Sequence, residues 1–176
     1  ARLETLAMDP HAAIRQAAIS ALDDREETEA VLKLFSNGLS DADDTVRLAA
    51  AVALGRSARR ATSALKSLLS LRNDQNFQVR KAVMDAIAKT KTRSDDIIKT
   101  VTELLSDPEP SVRVAAIKGV GDMELVSASI VNALTKSLNS TDENVLLATL
   151  PSLGSMGTKA KISADQLSKV LHDQRS

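Results

Sequence analysis

Three stretches of the chain share one pattern: DADDTVRLAAAVAL at residues 41–54, DQNFQVRKAVMDAI at 74–87 and DPEPSVRVAAIKGV at 107–120. Each begins with an aspartate, has Val-Arg at its sixth and seventh positions, and continues with small and branched apolar residues. The interval between successive stretches is constant, since they begin at positions 41, 74 and 107. A fixed period of this size is the signature of a repeat architecture, in which each repeat is one supersecondary unit.

Two further copies extend the pattern in both directions. They are DPHAAIRQAAISAL at residues 9–22 and STDENVLLATLPSL at 140–153, where Ser140 and Leu146 replace the aspartate and the arginine. Upstream of each copy, one more apolar position recurs in register. Its members are Leu3, Phe35, Leu68, Val101 and Leu134.

The apolar spacing within a repeat predicts helices. Val79, Ala82, Val83, Ala86 and Ile87 follow the i, i+3, i+4, i+7, i+8 spacing that places one buried stripe on a helix. Asp, Asn, Ser and Pro mark a turn before this stripe and are typical helix N-cap and first-turn residues. We therefore predict an antiparallel helix pair per repeat, with helices at about 27–39 and 44–55 in the second repeat. Left-handed C-caps are expected at three glycines: Gly55, Gly121 and Gly154.

A helix pair of this size cannot bury its apolar stripe alone, so the pairs must stack. We predict a single repeat domain over residues 1–176, with repeats at about 1–24, 25–57, 58–90, 91–123 and 124–156 and a partial sixth at 157–176. The sixth would contribute one helix at about 163–172. Neither end offers the polar outer face of a capping repeat, so we expect a piece of a longer array.

The repeated aspartate, Val-Arg, Ala-Ala and Leu-Gly residues resemble the HEAT repeat, in the short bacterial form shared with phycobilin-lyase-like repeats. The resemblance implies an all-α, right-handed α-solenoid, a superhelix of stacked antiparallel helix pairs. It also implies a hydrogen-bonded ladder between neighbouring repeats, which would end at the fifth copy. The ladder residues would be Asp9, Asp41, Asp74, Asp107, Arg15, Arg47, Arg80 and Arg113.

The composition excludes several chemistries. The chain has no Cys, Trp or Tyr, which removes thiolate metal sites, disulfides and cysteine nucleophiles. Its two histidines, His11 and His172, lie in the first and sixth repeats, too far apart in the chain's order to share a metal. We therefore predict no enzyme activity, no metal and no cofactor. No apolar run approaches the length of a membrane span and no signal peptide is present, so the cytoplasm is the default compartment.

Charge is segregated along a chain of zero net charge. Residues 1–45 hold 4 basic and 10 acidic residues, residues 46–93 hold 11 and 2, and residues 94–176 hold 8 and 11. The basic loops of the middle segment fit an acidic segment of another protein, or they are a solvated edge whose cations favour helix C-termini. Neutrality and the lack of stacking aromatics argue against nucleic acid. The candidate cations are Arg56, Arg59, Arg60, Lys89, Lys91 and Arg93.

The second helix of each pair offers another candidate surface. Its outward positions are either an exposed binding stripe, of the type that marks protein interaction sites, or part of the core. On the first reading, Lys81 and Met84 lie near the centre of the stripe. The two sets of positions are Gln16, Leu48, Lys81, Val114 and Leu147, then Ile19, Ala51, Met84, Ile117 and Leu150.

These observations favour a non-catalytic scaffold for protein binding, with another protein as the partner and an oligomeric state that the sequence leaves open. Two alternatives remain. One is a phycobilin-lyase-like or chaperone-like subunit that holds a cofactor or a client protein, and the other is a structural spacer.

Overall fold

The computed structural model describes residues 2–23 and 28–156. These residues form helices and no strand, as the apolar spacing predicts. The chain divides into two compact units, residues 1–91 and 92–176. The predicted helix at about 163–172, together with His172, lies outside the described residues.

The first unit contains seven α-helices in its described part. In each pair the second helix carries the repeated stretch, with Ile-Arg in α2 and Val-Arg in α4 and α7, and these second helices pack side by side, α2 on α4 and α4 on α7. The helices are α1 (Arg2–Leu6), α2 (Ala12–Leu22), α3 (Glu29–Gly38), α4 (Asp44–Leu54), α5 (Ala58–Ser63), α6 (Leu65–Ser70) and α7 (Phe77–Thr90), with a 3-10 turn at Leu71–Asn73 before α7.

The second unit contains two described helix pairs, in which α8 packs on α9 and α10 on α11, while α9 and α11 lie against each other. Helix α11 continues through Pro151. The helices are α8 (Asp95–Leu104), α9 (Pro110–Asp122), α10 (Ala128–Ser137) and α11 (Glu143–Met156).

The helix bounds in the second repeat agree with the sequence pattern to within two residues, since the observed helices are Glu29–Gly38 and Asp44–Leu54. The first helix of the third repeat differs from the single helix predicted for it, because it is split into α5 and α6 at Ala64. Just before the break, the Ser63 hydroxyl donates to the Arg60 carbonyl at 2.7 Å. Such a side-chain bond competes with the backbone bonds that continue a helix.

Apart from Phe35, the large side chains of the core are aliphatic or methionine, as the composition requires. From the second repeat to the fifth, the apolar position upstream of each stripe is fully buried, since Phe35, Leu68, Val101 and Leu134 all have 0% exposure, whereas Leu3 of the first repeat is half-buried. Space is tightest at Gly38, where an added Cβ would lie 2.8 Å from Ile19 Cδ1 and 2.9 Å from Ala50 Cβ. Gly38 therefore lets α3 approach α2 and α4 closely.

The expected glycine C-caps are wrong. No described glycine has a positive φ, and Gly55 has φ −69°. Gly121 and Gly154 lie inside α9 and α11. In the described part of the chain, the left-handed positions are instead Lys91 and Glu124, each with φ 50° and separated by one repeat period. Left-handed geometry disfavours residues with a Cβ, so both positions are conformationally strained.

Candidate functional site

The repeated aspartate and arginine organise the turn within each pair. The aspartate accepts a hydrogen bond from the backbone N–H two residues later, as in Asp41 with Asp43 at 2.9 Å and Asp74 with Asn76 at 2.9 Å. The arginine Nη1 donates to the carbonyl of the same aspartate, at 2.9 Å from Arg47 to Asp41 and 2.8 Å from Arg80 to Asp74. One residue pair therefore fixes the turn and the start of the following helix.

In the first unit, the same arginines also reach the next repeat. Arg15 donates through Nε and Nη2 to the two carboxylate oxygens of Asp41, both at 2.7 Å. Arg47 binds Asp74 in the same way, at 2.7 and 3.0 Å. These are two rungs of the ladder that the resemblance implies, and paired bonds of this kind are strong and geometrically specific.

The ladder shifts the pKa of its carboxylates. The hydrogen bonds from Arg15 lower the pKa of Asp41, against a smaller opposing effect of burial. Burial would raise the pKa of Asp74, but the Arg47 guanidinium and the Asn76 N–H together lower it. Both groups are therefore held in the charged form that the rung requires.

The fifth repeat keeps the turn but lacks the charges. Ser140 Oγ accepts the Asp142 N–H at 3.1 Å, the bond that aspartate provides elsewhere. Leu146 occupies the arginine position. Serine therefore replaces the aspartate in shaping the turn, although it cannot form an ion pair.

Arg60, predicted to bind a partner, is buried, with 5% exposure. Its Nη1 donates to Asp23 Oδ1 at 2.5 Å and to the Ala53 carbonyl at 3.1 Å, and its Nη2 donates to the Asp23 carbonyl at 3.0 Å. Its guanidinium carbon lies 5.6 Å from the centre of the Phe35 ring. The prediction is wrong for this residue, because an arginine that joins the ends of α2 and α4 from inside cannot meet a partner.

The other cations predicted to bind a partner in the first unit are exposed. Arg56 remains 63% exposed while its Nε donates to Asp23 Oδ2 at 2.9 Å. An added Cβ at Gly55 would lie 3.4 Å from the Cα of Ala86, so the loop after α4 runs beside the last turns of α7. Two exposed cations follow α4 and two lie at the C-terminal end of α7. We call these four cations the basic edge: Arg56, Arg59, Lys89 and Lys91.

Arg93, the sixth predicted cation, belongs to the second unit. Its Nε donates to the Met123 carbonyl at 3.0 Å, and its Nη2 lies 3.3 Å from Glu124 Oε2. Both side chains are more than half exposed. Arg93 therefore uses part of its donor capacity within its own unit.

The predicted stripe on the second helices is divided by the structure. Met84 has 0% exposure, so its assignment to the stripe is wrong: this position packs into the core, as do Ile19, Ala51 and Ile117. Lys81 is exposed on α7 and pairs with Asp85 at 2.8 Å, one turn further along. The two most exposed apolar members are in α11, Leu147 at 61% and Leu150 at 55%.

An open groove of about 750 Å³ lies between α2 and α4 of the first unit. Its apolar lining includes Leu48 and Val52, of which Val52 is 45% exposed. Asp43 lies at the N-terminal end of α4, where the Thr45 hydroxyl and N–H lower its pKa. At the other end, Asp23 accepts from two arginines, Arg56 and Arg60. Counted over the described residues, the groove therefore has a negative end at Asp43, an apolar middle and an end where two arginines meet one aspartate.

Two features of this site were not identified from the sequence. Asp23 follows the apolar stretch of the first repeat directly, where a carboxylate meets the negative end of a helix. That unfavourable placement is a visible signal of a cationic partner. Val52 is the one branched aliphatic side chain at its position in the five repeats, which signals a local apolar patch. The corresponding residues of the other repeats are Ser20, Asp85, Lys118 and Pro151.

Among the described residues, no group of three or more His, Cys, Asp or Glu side chains could hold a metal ion. Within the same ranges, no helix is long and apolar enough to cross a membrane.

Solved structures similar to this chain are helical repeat proteins. A designed armadillo repeat protein in complex with the peptide (KR)4 is 20% identical, with a TM-score of 0.69, over 88% of this chain and 80% of its own. An engineered protein is 18% identical, with a TM-score of 0.72, over 98% and 87%. The archaeal HEAT-like repeats protein from Thermococcus onnurineus NA1 is 21% identical, with a TM-score of 0.63, over 97% and 77%.

Among curated proteins, none matches the sequence. The family model of HEAT repeats matches residues 1–88, 65–129 and 98–176, which together span the whole chain. The predicted resemblance of this chain to the HEAT repeat family and its predicted all-α solenoid fold are therefore confirmed. The chain belongs to the HEAT repeat family.

Proposed function

We propose that the chain is a non-catalytic scaffold that binds an acidic, apolar-containing segment of another protein along the α2–α4 groove and the adjacent basic edge. The observation that carries the proposal is that the groove and the basic edge meet at Arg56, which lines the groove and is the first residue of the basic edge.

The apolar part of the groove supplies the affinity. Leu48 and Val52 lie on neighbouring turns of α4 and line the groove together with four residues of α2: Ala12, Ala13, Gln16 and Ser20. Burying one or two aliphatic side chains of a partner here removes apolar surface from water, at roughly 25 cal/mol per Å². Small alanine side chains let a partner backbone approach.

The charges supply orientation and association rate. Among the described residues at that end, Asp23 offers one carboxylate to two guanidinium groups, so these three side chains together carry one net positive charge. Arg59, Lys89 and Lys91 extend the positive field along the edge. Exposed cations of this kind steer an acidic partner and select against a basic one.

The fold supports a protein partner. HEAT and armadillo repeat folds commonly mediate protein–protein interaction, and the designed armadillo neighbour binds a peptide. That peptide, (KR)4, is basic. The basic edge here fits the opposite charge, so the ligand preference of that neighbour does not carry over.

The test is a titration with two fluorescein-labelled peptides, one of acidic residues interrupted by two leucines and one with lysine in place of each acid. We expect the parent chain to bind the acidic peptide and not the basic one. The double variant Arg56→Glu, Lys89→Glu should weaken binding about tenfold or more and reduce its salt dependence.

The matched control is Lys33→Glu, Lys66→Glu. It changes net charge equally, but both lysines are exposed on first helices of the same unit. Equal loss in both double variants would mean that net charge alone governs binding, and the basic edge would then be a solvated edge. Binding of a coloured small molecule would favour the lyase-like alternative, and binding of neither peptide would favour the spacer.

A further inference from the structure

The groove between α2 and α4 has the dimensions of an extended chain. Its lining runs from Asp43, at the N-terminal end of α4, to Arg56, just past the C-terminal end. At about 1.5 Å per residue, this span is about 20 Å long. A volume of about 750 Å³ over that length gives a cross-section of about 40 Å². An extended strand, about 4.8 by 10 Å, needs about this area, whereas a helix at least 10 Å across needs about twice as much.

The two walls of the groove differ in chemistry. Gln16 and Ser20 of α2 stand one repeat before Leu48 and Val52 of α4, so the polar pair and the apolar pair lie along the same part of the groove. Gln16 Nε2 donates to Ser20 Oγ at 3.4 Å in an exposed position. An amide and a hydroxyl offer both donors and acceptors. An extended segment needs such partners, because its backbone N–H and C=O groups have none within the segment.

The apolar wall has the spacing of an extended chain. Leu48 and Val52 are four residues apart in α4, so they form one ridge and are separated by about 6 Å along the helix axis. Side chains at i and i+2 of an extended chain lie on the same face, about 6.6 Å apart. Arg56 continues the row by one more step of four residues. Alternate side chains of an extended segment can therefore meet Leu48, Val52 and Arg56 in turn.

We propose that the groove binds an extended segment of another protein, about seven residues long, in which alternate side chains face α4. Two aliphatic side chains pack on Leu48 and Val52, an acidic side chain follows at Arg56, and a basic side chain lies near Asp43. Seven residues span about 20 Å, because each step is about 3.3 Å. The inference rests on the proposed function and adds the conformation, the length and the charge order of the segment. Further acidic residues at the Arg56 end extend onto the basic edge.

The charges at the two ends of the groove determine the charge order. Among the described residues at one end, Arg56 and Arg60 meet the single carboxylate of Asp23, and Arg56 is 63% exposed. At the other end, Asp43 Oδ1 accepts the N–H and the hydroxyl of Thr45, which hold the carboxylate at the start of α4. The reversed order would place like charges together at both ends, and such contacts select against a ligand.

Three fluorescein-labelled peptides of one composition test the spacing. The leucines are two residues apart in K-S-L-S-L-S-E-E-E, adjacent in K-S-S-L-L-S-E-E-E, and four apart, as on one face of a helix, in K-L-S-S-S-L-E-E-E. We expect the first peptide to bind about fivefold more tightly than either of the others, because only its leucines reach Leu48 and Val52 together in the extended conformation.

The outcomes separate this inference from the proposed function. Equal binding of the three peptides, or tightest binding of the third, would overturn the extended segment. The proposed function would stand in that case, provided that binding still weakens in the double variant Arg56→Glu, Lys89→Glu. Absence of binding by these peptides and by the acidic peptide with two leucines would overturn both.

Double-mutant cycles between chain and peptide test the charge order. Arg56→Gln and replacement of the first glutamate of the peptide by glutamine should be coupled about threefold or more in Kd. Asp43→Asn, which keeps a favourable N-cap, and replacement of the lysine by glutamine should be coupled similarly. The control crosses the two ends, combining Asp43→Asn with the glutamate replacement. These groups are about 20 Å apart, beyond the screening length, so we expect no coupling. Coupling in the crossed pair alone would overturn the charge order.

Two further measurements test the conformation and the place of the segment. Transferred NOEs of the bound first peptide should be strong between each Hα and the next N–H, and strong contacts between successive N–H groups, typical of a helix, would overturn the inference. Ala13→Trp places a large ring in the groove and should weaken binding about tenfold. Ala17→Trp is the matched control, since Ala17 is exposed on α2 and does not line the groove. Equal affinity of the two variants would also overturn the inference.

Discussion

Arg60 and Arg93 occupy the same repeat position in the first and second units. Arg60 is 5% exposed and joins Asp23, Ala53 and Phe35. The Arg93 side chain is 58% exposed and reaches the Met123 carbonyl and Glu124. The difference follows from what lies around each guanidinium. Asp23, at the end of α2, offers both a carboxylate and a carbonyl to Arg60, whereas Glu124 offers Arg93 an exposed carboxylate.

The ladder position differs between the units in a similar way. The first unit has charged rungs at Asp41 and Asp74, and the fifth repeat in the second unit has Ser140 and Leu146. Both versions shape the same turn. A repeat position therefore has a local role, which either residue can fill, and an inter-repeat role that requires the charge.

The largest expected effect is at Arg60. Arg60→Ala removes a buried guanidinium and leaves the Asp23 carboxylate with Arg56 as its remaining arginine. We expect a loss of about 3 kcal/mol in the free energy of unfolding. Arg93→Ala, the matched variant in the second unit, should cost less than about 1 kcal/mol. Urea unfolding of both variants measures the contrast, and equal losses would show that burial does not separate the two arginines.

A smaller effect is expected at the ladder. Asp74→Asn should cost about 2 kcal/mol at neutral pH, because a charged acceptor of two arginine bonds is lost. Folding lowers the pKa of Asp74, so its contribution is complete above the unfolded-state value near 3.8 and is lost as the pH falls through the folded-state value.

The measurement is unfolding of the parent and of Asp74→Asn over a series of pH values from 7 down to about 2. The difference between the two proteins should shrink below about pH 4. Ser140→Ala removes only a turn bond, and we expect it to cost about 1 kcal/mol without this pH dependence. A constant difference for Asp74→Asn across the range would contradict the charged rung.

Replacing either of two glycines by alanine should change the free energy of unfolding, in opposite directions at the two sites. Gly38→Ala in the first unit brings a Cβ within 3.0 Å of Ile19 and Ala50, and we expect a loss of about 1–2 kcal/mol. The Cβ added by Gly154→Ala in α11 has no atom of the described residues within 4 Å, so the gain in helix propensity should stabilise by about 0.5–1 kcal/mol. Thermal unfolding by circular dichroism would reveal both, and a stabilising Gly38→Ala would mean that α3 has room to move.

The smallest effects are expected at the two left-handed positions. Lys91→Gly should stabilise by up to about 1 kcal/mol, because glycine adopts a positive φ without steric cost. Glu124→Gly should gain less, because it also removes the exposed pair with Arg93. Chemical unfolding of both single variants measures the difference. Destabilisation by Lys91→Gly would show that its side chain has a role in the fold.

The sequence alone determined the repeat period, the helix pair, the positions of the turns and the aliphatic core. These properties depend on spacing along the chain. Val79, Ala82, Val83, Ala86 and Ile87 share a helix face whatever lies next to it, and all five are buried. The aspartate before each of the first four stripes, and the serine before the fifth, fixes the turn through bonds to nearby residues of the same repeat. Local geometry is enough to predict such features.

Tertiary structure decided which candidate residues are accessible. Arg60 and Met84 looked like surface residues because charge and helical spacing do not say which neighbour will cover a side chain. Asp23 covers Arg60, and packing between the second helices of neighbouring pairs covers Met84. Val46 is buried because α2 packs against α4, whereas Ile14 at the matching position of α2 is exposed. In a repeat protein the adjacent repeat decides whether a side chain is buried, so the sequence of one repeat alone does not predict its buried residues.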